Sequence, residues 1–126
     1  MNAPEQGRLY AVKSLNFYSA VYHANLLNRK KVCTIRLGDK TDKYRDGDVV
    51  LVTYGDRFKP RRELFRAVLD LVEVKRLADL SERDIRGENP DMRTTEDVVS
   101  FLEKIYERTI DPSEPATVIY FSEITK

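Results

Sequence analysis

The stretch NRKKVCTIRLGDK, residues 28–40, decides how this chain is read. KVCTIRL alternates, with Val32, Thr34 and Arg36 on one face and Cys33, Ile35 and Leu37 on the other, and its β-branched residues predict a strand. Arg29, Lys30 and Lys31 crowd three cations at the start of that strand, and Arg36 adds a fourth near its end. A strand that only fills a core has no need of them. The charge points to an oxygen-rich ligand.

Composition narrows what that ligand site is made of. The chain has 126 residues, 34% charged and 41% apolar, which fits one globular domain with a real core. Lys plus Arg (22) nearly cancels Asp plus Glu (21), so any nucleic-acid face is a local patch and not a global property. Cys33 is the only cysteine and His23 the only histidine. An internal disulfide is therefore impossible, and no histidine- or cysteine-built metal centre or other cofactor is expected. MNAPEQGRLYAV lacks the basic start and apolar segment of an export signal, and no apolar run approaches the roughly 18 residues of a membrane span. The expected location is cytoplasmic, with no membrane partner.

Working outward, residues 1–8 read as a flexible leader and 9–126 as a single domain. LYAVKSL predicts a short strand. NFYSAVYHANLLN predicts a helix capped by Ser14 or Asn16, with Phe17, Ala20, Val21, Ala24 and Leu27 at helical spacing, ending at Asn28 or Arg29. GDKTDKYRDGD is turn chemistry. VVLVTYG reads as a strand buried on both faces, DRFKPRR as a basic hairpin loop, and ELFRAVLDLVEVKRL as one long, bent strand. SERD at 81–84 is a capping box opening a short helix, which Pro90 ends by pushing Asn89 into extended backbone. TTEDVVSFLEKIYERT is amphipathic, with Val98, Phe101, Leu102, Ile105 and Tyr106 as its stripe. ATVIYFSEI closes the chain as a strand. Five strands and two or three helices without a repeated βαβ unit predict an α+β fold, a curled, mostly antiparallel sheet or small barrel with flanking helices.

RKKVCTIRLG, followed by YRDGDVVLVTYG and ended by ATVIYFSEI, resembles the ASCH domain family of the PUA-like superfamily. Its signature is G-x-K-x-x-T-x-R, with a Gly-Asp before the next strand. Lys31, Thr34 and Arg36 match, as does Gly47-Asp48, while Arg29 stands where the signature has glycine. The resemblance implies a PUA-like curled barrel and a partner that is RNA or a nucleotide. Some small members are amidases that remove the acyl group from N4-acetylcytidine, using the motif's Lys and Thr with a downstream Glu; Glu88, in GENPDM, is the matching position. That makes Lys31, Thr34 and Glu88 the catalytic candidates, and Arg36, Lys30, Arg29, Arg57, Arg61 and Arg62 the candidate ligand-binding residues.

The chemistry those residues allow is consistent with this. A threonine hydroxyl needs a base, and a lysine serves as one only when burial or neighbouring cations lower its pKa. Lys31 must also lie in the loop before the strand, because three residues apart on a regular strand it would point away from Thr34. Each residue has a plainer reading as well. Lys30 and Lys31 can protect a sheet edge, Thr34 is a good strand former, and Arg36 can pair with an acidic neighbour. RFKPRR is a solvated hairpin tip or a phosphate-contacting loop. Cys33 should be an inert core thiol, and His23 a surface or half-buried residue. Tyr10, Tyr18 and Tyr22 either pack in the core or stack on a base. Three functions follow: a nucleotide- or RNA-binding module, an amidohydrolase acting on an acylated nucleoside, or an interaction domain whose cleft Arg29 blocks.

Overall fold

The computed structural model describes residues 13–18, 20–56 and 59–125. The leader, the start of LYAVKSL, Tyr10 and Arg57 lie outside them. Among the described residues five strands form: β1 (Lys13–Phe17), β2 (Cys33–Leu37), β3 (Val49–Tyr54), β4 (Arg62–Arg76) and β5 (Pro115–Glu123). Helix α1 (Ala20–Leu27) joins β1 to β2, and α2 (Glu82–Glu88) and α3 (Thr95–Tyr106) lie between β4 and β5, after a 3-10 turn at Leu77–Asp79.

The sheet order is β1-β3-β4-β5-β2. Only β1 and β3 run parallel; the other three pairings are antiparallel. The first half of β4 pairs with β3 and the second half with β5, and the β4–β5 register shifts between Leu69 and Leu71. Such a bulge adds twist. It lets one 15-residue strand bend through the sheet, as the long, bent reading expected. The result is a curled half-barrel of α+β class. Its two edge strands, β1 and β2, face each other, and the Arg36 guanidinium crosses from β2 to donate to the Asn16 carbonyl of β1 at 2.9 Å.

Two buried clusters hold this arrangement. One lies between β2, β5 and the helices α2 and α3, built on Cys33, Ile35, Val118, Ile85, Val98 and Leu102. The other fills the inside of the curl, where Leu15, Phe17, Val50, Val52, Leu69 and Phe121 meet Tyr22 and Leu26 of α1. Strand β5 feeds both: Ala116, Val118 and Tyr120 face one cluster, Ile119 and Phe121 the other. It is the strand buried on both faces. That role was expected of VVLVTYG, but β3 buries Val50 and Val52 while Val49 is 43% exposed. β3 sits next to the edge strand β1, and no cluster member comes from its Val49 side.

The helices follow their local signals with one shift. Ser81 and Thr94 cap α2 and α3, each closing a capping box with Asp84 or Asp97. Asn89 is extended at φ −158°, as the following Pro90 demands. Helix α1, however, starts at Ala20, and Asn16 and Phe17 belong to β1. Its docking residues are Tyr22 and Leu26, whereas Leu27 is exposed. In this eight-residue helix the described side chains dock through one i, i+4 pair, too few positions for periodicity to decide the face.

Candidate functional site

Lys31 sits in the loop before β2, whose first residue is Cys33, so the strand-face constraint on Lys31 and Thr34 does not arise. Its side chain is fully buried. Its ammonium donates to the Cys33 and Glu88 carbonyls, both at 2.7 Å, and forms an ion pair with the Glu88 carboxylate at 3.2 Å. Burial pushes the ammonium below the usual lysine range, and the Glu88 charge opposes that shift. Glu88 reaches this point because α2 ends there and the chain turns extended at Asn89. One carboxylate oxygen accepts from the Ile35 amide at 2.7 Å; the other accepts from the Tyr22 hydroxyl. Burial, and then the Glu88 charge, raise the Tyr22 phenol, so it stays a donor.

Thr34 and Arg36 belong to a different space. They line a cleft of about 70 Å³ between the β1–α1 junction, β2 and α3, together with Asn16, Tyr22, Ile105 and Tyr106. At roughly 10–15 Å³ per water this accommodates about one six-membered ring. Arg36 donates through Nε to the Thr34 hydroxyl at 3.3 Å and lies 5.0 Å over the Phe17 ring. Tyr18 and Tyr106 flank the mouth, 42% and 40% exposed. Tyr22 lines the cleft and also touches the Lys31–Glu88 pair, its ring 4.1 Å from the Lys31 ammonium. Lys31 and Glu88 do not line it.

The remaining cations separate. Arg29 adopts φ +64°, the left-handed conformation that explains a glycine at this signature position. Its guanidinium turns away from the cleft, pairs with Glu123 at 2.6 and 3.0 Å and lies 4.3 Å over Phe65. It also donates to the Leu26 and Leu27 carbonyls, satisfying acceptors left open at the end of α1. Lys30 is exposed and lines none of this space, and neither does Arg62, at the start of β4. Arg61 lines an adjoining groove, and Arg57 lies outside the described residues. Cys33 is buried, its thiol pushed by burial to about 12. His23 is half-buried and stacks on Tyr54 at 4.4 Å, away from the cleft. Among the described residues no cluster of His, Cys, Asp and Glu could hold a metal ion, and no helix is long and apolar enough to cross a membrane.

No family model matches the sequence, and no curated protein matches it. Solved structures do. An ASCH domain from Lactobacillus crispatus JV V101 superposes with a TM-score of 0.65 at 15% identity, over 92% of this chain and 81% of that one. The chain has the ASCH-domain fold. Protein EF3133 of Enterococcus faecalis V583, from family DUF984, aligns at TM-score 0.59 and 16% identity over 79% of this chain and 65% of that one. The hypothetical protein PH0355 aligns at 0.61 and 15% identity over 90% of this chain and the whole of that one. In this ASCH fold the matched positions divide into two layers, Thr34 and Arg36 at the cleft and Lys31 with Glu88 beneath Tyr22.

Several participants escaped the sequence reading. Tyr22 was grouped with stacking or packing tyrosines, and nothing local marks its bond to Glu88. Asn16 was read as a helix cap and Tyr106 as part of an apolar stripe, and neither as a site residue. Tyr106 alone had a usable signal, since the exposed end of an amphipathic stripe is an aromatic without a core to fill.

Proposed function

We propose that the protein binds a nucleobase, as part of a nucleotide or of single-stranded RNA, in the cleft over Thr34 and Arg36, and does so in the cytoplasm. One observation carries the reading: two exposed tyrosines, Tyr18 and Tyr106, border a small cleft that also presents a hydroxyl and a guanidinium. A flat ring stacks on aromatic faces, and its polar edge needs donors and acceptors at the floor. Thr34 offers both, and Arg36 offers fixed donors. Titration of the protein with ribonucleosides, nucleotides and short single-stranded RNA at low salt tests it. Binding that Thr34→Ala and Arg36→Ala each weaken supports the reading; absence of any binding removes it.

A second reading is an amidohydrolase acting on an acylated cytidine. It is favoured by the meeting of Lys31 and Glu88 beneath Tyr22, which itself lines the cleft with Thr34. Thr34 would be the nucleophile or positioning hydroxyl, Lys31 the base or charge stabiliser, and Glu88 the proton shuttle. Water would add across the amide, leaving cytidine and acetate. The geometry sets a condition: Lys31 must release two carbonyls and its ion pair with Glu88, and Tyr22 must swing aside, before either reaches a substrate. Incubation with N4-acetylcytidine decides. Cytidine release lost in Lys31→Ala, Thr34→Ala and Glu88→Ala supports this reading, and no turnover ends it. The interaction-domain reading rested on Arg29 obstructing the cleft, and Arg29 lies elsewhere.

A further inference from the structure

We propose that the cleft continues into a phosphate subsite formed by Lys13, Lys43 and Arg61, so that the site takes a phosphorylated ligand and not a free nucleoside. This rests on the nucleobase reading above and adds the other end of the ligand.

A second groove, about 370 Å³, shares Asn16, Tyr18 and Arg36 with the cleft and is completed by Lys13, Lys43 and Arg61, among others. The three cations come from separate parts of the chain: the start of β1, the loop between β2 and β3, and the approach to β4. Among the described residues no acidic side chain lines the groove. In a chain whose net charge is +1, four cations along one groove with no lining carboxylate form a local excess that needs an anion. Lys13 is partly neutralised by Asp48 at 2.8 Å, but among the described residues no carboxylate pairs with Lys43 or Arg61.

The platform is built, not incidental to a floppy loop. Tyr44 is buried and its hydroxyl donates to the Ser14 carbonyl at 2.9 Å, fastening the β2–β3 loop to β1. The Lys43 ammonium lies 5.3 Å over the Tyr44 ring. Arg36 borders both spaces, so a base seated against Thr34 carries its ribose past Tyr18 toward Lys43 and Arg61. The small cleft suits the ring, and the larger, open groove suits sugar and phosphate.

The test is titration of the full chain, at low salt, with each of the four ribonucleosides, its 5′- and 3′-monophosphates, and the matching three-nucleotide RNA. At least one monophosphate should bind about tenfold or more tightly than its nucleoside, the equivalent of one charge-assisted hydrogen bond. The advantage should vanish in the exposed double variant Lys43→Ala/Arg61→Ala, whose melting temperature checks its fold. It should also shrink as salt rises. An RNA that outbinds the mononucleotide identifies a single strand as the source; equal affinity identifies the mononucleotide. Nucleoside and monophosphate binding alike would overturn the subsite and leave the nucleobase reading standing, as would an advantage that survives the double variant. If no nucleoside, nucleotide or RNA binds, both fall.

Discussion

The Lys31 ammonium lies 3.2 Å from the Glu88 carboxylate, and both side chains are buried. Removing one member of a buried pair leaves the other charge uncompensated, which costs about 3–5 kcal/mol. Lys31→Met should therefore shift the urea midpoint strongly downward, while Lys31→Met combined with Glu88→Gln should recover part of the loss. A Lys31→Met protein as stable as wild type would show that the pair does not hold α2 to β2. The same measurement guards the functional tests, because a Lys31 variant that is partly unfolded loses binding or turnover for an uninformative reason.

Cys33 should be silent at neutral pH. Burial holds its thiol at about 12, against 9.0 for the free group, so a thiol reagent should react only after unfolding. The linkage has a definite sign. Between pH 9 and 12 the unfolded chain releases this proton and the folded one keeps it, so the thiol's contribution to stability is fully present below pH 9 and is lost as pH rises through that window. Tyr22 and Tyr120, both raised by burial, act in the same direction, and Lys31, lowered by burial, acts against them. Denaturant midpoints measured across this window should fall in wild type, and less steeply in Cys33→Ala.

Gly87 lies inside α2, where alanine is intrinsically better by about 1 kcal/mol. A Cβ added there would stand 2.7 Å from the Cβ of Cys33. No rotamer change relieves a clash between two β-carbons, so backbone must move. Gly87→Ala is expected to destabilise by about 1–3 kcal/mol, readable in chemical denaturation. A stabilised variant would contradict this close packing of α2 against β2.

Arg29 offers a ranking. The left-handed conformation costs a non-glycine residue roughly 1–2 kcal/mol, and Arg29 offsets this through Glu123, Phe65 and two helix carbonyls. Arg29→Ala keeps the strain and loses the contacts, whereas Arg29→Gly loses both. The melting order should be wild type and Arg29→Gly close together, with Arg29→Ala clearly below. Alanine melting with or above glycine would contradict it.

What could be read from the chain alone was mostly local. Alternation in KVCTIRL, the box at Ser81, and Pro90 after Asn89 each act within a few residues, and the elements formed where they pointed. The convergence of Lys31 with Glu88 was reached only through family resemblance, since no local rule links residues so far apart. The two-faced burial of β5, the bond from Tyr22 to Glu88 and the approach of Lys13 to Lys43 depend on sheet order. Sheet order is a long-range choice that periodicity does not encode. Arg29 shows the limit from the other side: a substitution that looked obstructive by size proved compatible by direction.

The half-barrel has a seam, and a single guanidinium bridges it. Among the described residues β1 and β2 end the sheet without a backbone ladder between them, and Arg36 spans the gap to Asn16. The group that bridges the opening is also the one best placed to greet a ligand. A ligand that recruits Arg36 competes with the Asn16 carbonyl, so occupancy and sheet curvature become linked quantities. A fully closed barrel would be better hydrogen-bonded and would have nowhere to put a guest.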